Sequence, residues 1–488
     1  MKLWDELTGL IATFNEKERN RFVKHAGNFS PKIQEVLFLV IDNNFAEFEI
    51  LKKNIKSNVV SNRFQRAIEV TQNFIIESFP RIENKSIRLI RVHRALFYKG
   101  LYDQSRNCLA EAVKHCLKYH LWTMLNDINL CIDQIKRFGT LYPEIFNNEF
   151  MFHIADLSIE ALKEENEFNK LYEEVYKEVF RGDQKQNLEK VTLKYREHPL
   201  MQRTYFISYR SQARQFNIHR MIDLLILDYK SYGERSRGMF DLYKGCVLLK
   251  EVHFYGLLQA AVGTCDAYVN TLDFEKYRTF RASISNVAIP NQRLKAYMLG
   301  SMRKVDLYYY SNCNLPFDSV STELLDIENE ILHSKIKLSL AVKTTHPLYL
   351  CFIYIKFKKF DKAEFWLSYY RENREIHSDR RKDIHRVATV LRILLNYEVE
   401  DVDKCSSDCN NAIRNIKQYG FVYETEKLMV KFFRQAIKLL HDKNQTMELI
   451  KALKADLDLL SKNDIYEKKY RTKYIDWSRW CEWKILYI

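Results

Sequence analysis

Glycine and proline are both scarce: 12 Gly and 7 Pro in 488 residues, where an average chain would carry roughly 34 and 24. The shortage excludes collagen-like sequence and low-complexity linkers. It argues against sandwiches and barrels, which need turn residues at short intervals, and against glycine-rich phosphate loops. Long apolar runs are missing too. The densest, Leu348 to Ile355 (LYLCFIYI), is eight residues long, and a membrane helix needs about 20. The ten cysteines are dispersed, with no C-x-x-C pair, so reduced, buried thiols and no metal or cofactor are expected. Asp5 and Glu6 interrupt the N-terminal apolar stretch, which argues against a secretory signal. The chain reads as soluble and cytoplasmic, with no membrane partner.

What is present is charge and aromatic surface. Lys plus Arg is 77 and Asp plus Glu is 63, a net +14, with 30 Tyr and 30 Phe. Hydrophobic residues at 47% against 29% charged describe a globular chain. At this length several domains or one elongated stack are expected. Helical period dominates. Phe206, Tyr209, Ala213 and Phe216 recur at steps of three and four, as do Val387, Leu391 and Leu394, and Leu449, Leu453, Leu457 and Leu460. We expect roughly 22–26 helices joined by short polar turns. Pro199 and Pro347, each in a His-Pro-Leu tripeptide, mark helix starts, and Ser321, Asp379 and Asn444 stand where N-caps belong. The stretches 286–290 and 311–321 read as loops. The expected organisation is an N-terminal helical segment over 1–90, one helical stack over 91–310, and a second over 311–488 with a C-terminal capping helix.

A local unit recurs: a helix, a short turn with an aromatic and an acidic or small residue, then another helix. Gly100-Leu101-Tyr102-Asp103, followed by Ser105, Leu109 and Ala112, resembles the turn and second helix of a tetratricopeptide repeat. Phe360-Asp361-Lys362-Ala363 with Leu367 is a second copy, where Tyr370 stands in place of the usual Ala. Weaker echoes occur at Phe45, Phe168 and Phe274. The resemblance implies an all-α, tetratricopeptide-like α-solenoid of stacked antiparallel hairpins, each covering the apolar face left open by its neighbour. A second resemblance lies at Leu10 to Glu18 with Arg21-Phe22 and Phe29. It is similar to the opening of uncharacterised helical proteins of comparable length in Bacteroidetes-type bacteria, and implies no activity.

Three clusters are candidates for binding. Arg203, Arg210 and Arg214 lie in a stretch without acids and would fall within about 40° of one another on a continuous helix. Arginine forks on such a face can hold a carboxylate or phosphate; the alternative is pairing with glutamates on neighbouring helices. Arg371 to Arg392 holds seven cations among four acids, and the alternating signs favour salt bridges across a hairpin. At the C-terminus Tyr466, Tyr470, Tyr474, Trp477, Trp480 and Trp483 form an aromatic stripe, either a recognition surface or a helix covering the end of the stack. Cys405 with Cys409, and Cys116 with His120, are four apart, with no matching second pair. Glu164-Glu165 and Glu173-Glu174 read as helix-surface acids. No G-x-S-x-G, H-E-x-x-H or P-loop signature occurs. The expected function is that of a non-enzymatic protein-binding scaffold or adaptor taking a peptide or acidic segment in a solenoid groove. An RNA-binding helical-repeat protein is the alternative, and a hydrolase assembled from distant helices a third.

Overall fold

The computed structural model describes residues 2–11, 14, 16–42, 57–78, 81–99, 101–138, 148–181, 188–246, 254–285, 287, 289, 292–333, 340–372, 382–418, 423–473 and 475–487. Among the described residues the chain forms 23 α-helices, three short 3-10 turns and no strand. It divides into two compact units. One comprises 1–171, 204–214 and 242–254, the other 172–203, 215–241 and 255–488. The boundary expected near 90 falls inside a continuous helix, and the one expected at 311 falls inside the second unit.

The first unit opens with α1 (Lys2–Ile11), α2 (Glu16–Ala26), α3 (Pro31–Ile41) and α4 (Ser57–Ser78). Pro31 begins α3, where its missing N–H has no helical partner to lose. Phe22, Leu37 and Phe64 are buried at the centre of this bundle. The rings of Phe14, Phe22 and Phe74 meet with centroids 4.9–5.4 Å apart, so the aromatic residues of the N-terminal signature are core. Next come α5 (Arg81–Tyr98), α6 (Tyr102–Lys118), α7 (Trp122–Phe138) and α8 (Asn148–Arg181). Ser105, Leu109 and Ala112 are buried, and α6 packs on α5. The pair is stitched by Ser105 Oγ to His93 Nδ1 and Ser86 Oγ to His115 Nδ1, both 2.8 Å. Phe168 lies in the middle of α8 and is buried, so it marks no turn. Phe45 lies outside the described residues.

The second unit holds α9 (Leu188–Arg196), the greater part of α10 (Tyr209–Leu225) and α11 (Tyr229–Gly245), then α12 (Phe254–Asn270), α13 (Phe274–Ile284), α14 (Gln292–Asn312), α15 (Ser321–His333), α16 (Leu340–Lys356), α17 (Phe360–Glu372), α18 (Lys382–Glu398), α19 (Val402–Gln418), α20 (Glu424–Ala436), α21 (Lys443–Asn463), α22 (Ile465–Lys473) and α23 (Trp477–Tyr487). Neighbouring helices pair, as α16 with α17 and α18 with α19. The leading helices also stack on one another, α14 on α16, α16 on α18 and α18 on α20. Close approach there depends on a small residue: a Cβ on Gly300 would lie 2.5 Å from Val342. Residues 348–355 of α16 are buried throughout, which suits a helix enclosed on every side. Pro347 does not begin a helix. It lies inside α16, where a proline costs about 3 kcal/mol and the burial around it outweighs that loss.

One turn geometry repeats. His120, Leu227, Leu272, Lys358 and Glu400 have φ of 55–62°. After each, the next N–H returns to the carbonyl five residues back, as in Asp273 to Tyr268 and Lys359 to Tyr354, both 2.8 Å. This is the Schellman closure of a helix end, normally given to glycine. A new helix then starts at Trp122, Tyr229, Phe274, Phe360 and Val402. Asp228, Asp273 and Asp401 cap three of these helices, accepting from backbone N–H groups at 3.0–3.3 Å. Likewise α21 is capped by Asp442 at 2.9 Å and not by Asn444. Ser321 is the first residue of α15 and not its cap, and Asp379 lies outside the described residues. The strained turns explain how so few glycines suffice. Glu400→Gly is expected to raise stability by about 0.5–1 kcal/mol, since relief of left-handed strain exceeds the entropy glycine adds to the unfolded chain. A urea midpoint unchanged or lower would contradict this.

Candidate binding groove

The arginine stripe does not form as spaced. Arg203 ends a 3-10 turn, with φ −66° and ψ 134°, and residues 203–208 are not helical. The one-face expectation for Arg203, Arg210 and Arg214 required a helix through all three, and α10 begins only at Tyr209. The cause is a carboxylate from α8. Glu164 accepts the N–H groups of Ile207 and Ser208 at 3.4 and 3.2 Å, capping α10 from outside and favoured by the helix dipole. Glu164 is therefore buried and not a surface acid, whereas Glu173 and Glu174 are exposed. Arg210 lies 3.8 Å from Glu165, and Arg214 Nε donates to Asn169 at 2.9 Å, so both brace α10 against α8.

The other sequence candidates are paired too, on the exposed face of α17 at Arg371 and further inward at Arg386 and Arg392. Arg371 pairs with Glu364 at 3.5 Å, Arg386 with Glu426 at 3.6 Å and Arg392 with Asp408 at 2.9 Å; residues 373–381 lie outside the described ones. In the C-terminal stripe Tyr470, Trp477 and Trp480 are buried, and Tyr474 lies outside the described residues. Trp477 meets Phe352 of α16 at 5.9 Å, and Trp480 meets Phe432 and Phe433 of α20 at 5.7 and 5.8 Å. This segment thus covers several leading helices as well as the last hairpin. Cys116 donates to Ser86, and burial lifts its thiol to about 11. His120 is the turn residue beyond the end of α6, so the two do not share a helical face. Among the described residues no cluster of His, Cys, Asp and Glu could hold a metal ion, and no helix is long and apolar enough to cross a membrane.

A groove of ≈ 580 Å³ lies at the ends of α15 and α17. Its floor is apolar: Phe317 from the turn before α15, Leu325 of α15 and Phe360 of α17. Leu325 is 49% exposed. Lys358, Lys359 and Lys362 stand over this floor, with Asp361 the one carboxylate in the lining. The Schellman turn places two of them: left-handed Lys358 reverses the chain, and Lys359 follows it. Lys359 Nζ lies 5.2 Å from the Phe317 ring centroid, a cation–π contact at an exposed site. Lys362 donates to Glu328 at 3.0 Å, tying α17 to α15. Comparison of the chain with protein-family models, curated proteins and solved structures finds no match in any of the three.

In the sequence Phe360 to Lys362 reads as a turn and not as a groove wall. A signal was available in the doubled lysine with a third one helical turn on. Phe317 and Leu325, roughly forty residues earlier by helical-hairpin repeat lengths, could not be joined to it without the register of the two hairpins.

Proposed function

We propose that this chain is a non-enzymatic scaffold, a tetratricopeptide-like stack of helix hairpins, that docks an acidic peptide segment of a partner protein. The observation that carries the reading is the lysine-walled groove: Lys358 and Lys359, with Lys362 held by Glu328, over an apolar floor in which Leu325 is exposed. An occupant with leucine or phenylalanine beside Asp or Glu meets both features, the apolar side chains on Leu325 and Phe317 and the carboxylates on Lys358 and Lys359. The repeated Schellman turns and the side-by-side leading helices support the stacked-hairpin architecture, which suits an extended binding surface.

The test uses a fluorescent peptide of alternating leucine and glutamate. Lys358→Glu with Lys359→Glu is expected to weaken its binding to the full chain by about tenfold or more, at roughly 1.5–3 kcal/mol per charge-assisted contact. Thermal stability should hardly change, since exposed charges contribute little to it. Binding that survives the double variant removes the groove from the reading. Tighter binding of a single-stranded RNA oligomer than of the peptide, lost steeply with salt, would replace the reading with the nucleic-acid one.

A further inference from the structure

The leading helices of the second unit carry a stripe of residues facing one side, and the chain covers only part of it. On α14 the stripe runs Tyr297, Ser301, Lys304, Tyr308 and Ser311 at helical steps of three and four. Its far end meets α23: Ser311, Phe352, Lys356, Trp480 and Trp483 line one small cavity. Beyond it α23 lies over α16, α18 and α20, with Trp477 on Phe352 and Trp480 on Phe433. It also inserts one cation. Lys484 Nζ sits 2.6 Å from Glu398 of α18, the carboxylate buried and the lysine largely so.

Among the described residues the rest of the stripe is less covered. Tyr255, Gln259, Val262 and Asp266 recur on α12 and stay partly exposed between buried neighbours. They adjoin α14, where the rings of Tyr255 and Tyr297 meet at 4.7 Å. Asp266 is an acceptor with capacity to spare. Among the described residues its carboxylate receives a hydrogen bond from the Asn270 amide a turn away at 3.2 Å, and no Lys, Arg or His pairs with it. Lys304, on the facing stripe, is the cation whose field it feels. Burial raises its carboxyl above the ordinary range, and Lys304 and Asn270 offset that only in part. Glu398 is raised by burial in the same way, and there Lys484 supplies the counter-charge.

We infer that the less covered stretch of α12 and α14 docks a peptide segment that presents a lysine or arginine to Asp266, as α23 presents Lys484 to Glu398. The chemistry follows from the lining. A carboxylate short of a partner takes an ammonium or guanidinium, and Lys304 favours a carbonyl or carboxylate of the same peptide one step along. This surface is distinct from the lysine-walled groove and selects the opposite charge, so the two readings stand or fall separately.

The experiment is selection of a random peptide display library on the full chain, followed by binding measurements with the best synthetic peptide. The enriched sequences are expected to hold Lys or Arg beside an apolar residue. Asp266→Asn, which keeps size and the Asn270 contact, should weaken that peptide about tenfold or more, the loss of one charge-assisted bond. Lys358→Glu with Lys359→Glu should leave it unchanged. The thermal midpoint of Asp266→Asn should not fall, because a desolvated charge is removed. Lys304→Gln is the second variant: removing the competing cation should tighten the same peptide. Selected peptides without a basic residue, unchanged affinity in Asp266→Asn, or weaker binding in Lys304→Gln would each overturn the inference.

Discussion

Asp306→Ala should lower the unfolding free energy by about 3–5 kcal/mol, the range for breaking a buried ion pair from one side. Asp306 on α14 is buried and binds three neighbours. Arg281 of α13 reaches both its oxygens at 2.9 and 3.1 Å, the Tyr277 hydroxyl donates at 2.5 Å, and Arg303 donates at 3.3 Å. Burial pushes the Tyr277 phenol far above its usual range, and the Asp306 charge adds to that, so the ring remains a donor at any working pH. Arg303 continues to Glu330 of α15 at 2.8 Å, so one carboxylate ties α13 to α14 and, through Arg303, to α15. Alanine leaves the Arg281 charge and the Tyr277 hydroxyl without their acceptor. Adding Arg281→Met and Tyr277→Phe to Asp306→Ala should recover much of the loss, because the stranded donors are then gone as well. Urea denaturation decides. A loss under about 1 kcal/mol for the single variant would mean that water takes the carboxylate's place.

Trp480→Ala is the second large effect, at about 3–5 kcal/mol. The ring is 2% exposed and packs on Phe432 and Phe433 of α20. It anchors α23 midway between Trp477 on α16 and Lys484 on α18. Besides the Lys484–Glu398 pair, two polar ties to α21 remain, Ser478 to Asp458 at 2.6 Å and Lys454 to Glu482 at 3.4 Å. The variant should therefore loosen 477–487 first, seen as faster amide hydrogen exchange there than in α16 or α18. Uniform acceleration across the second unit would instead make α23 part of a single cooperative core.

Much of the secondary structure was legible and much of the site was not, for one reason. The buried positions Val387, Leu391 and Leu394 of α18 recur within a single helical turn, so their periodicity is written in a short window. The Schellman turns were half legible. An aromatic opening the next helix was visible at Phe360 and Phe274, but left-handed φ at Leu272, Lys358 and Glu400 has no glycine to announce it. The arginine stripe failed because a carboxylate four decades of residues earlier in the chain, Glu164, sets where α10 begins. Angles counted along an assumed helix carry no information about an outside cap.

The sequence by itself determined the all-helical class. Steps of three and four, few glycines and prolines, and no sustained alternation leave the backbone no alternative that buries its apolar residues. It marked the C-terminal aromatic stripe but left open whether that stripe is a recognition surface or a covering helix; the burial of Trp477 and Trp480 came from the helices they meet. Only the tertiary structure decided which charges are consumed and which remain. Arg210, Arg392 and Lys484 are held by Glu165, Asp408 and Glu398, while Lys358 and Lys359 are left lining a groove. Every cation looks alike in the sequence, because pairing depends on the register of helices tens of residues apart. That register is set by buried contacts such as Gly300 on Val342, in which the charged side chains take no part.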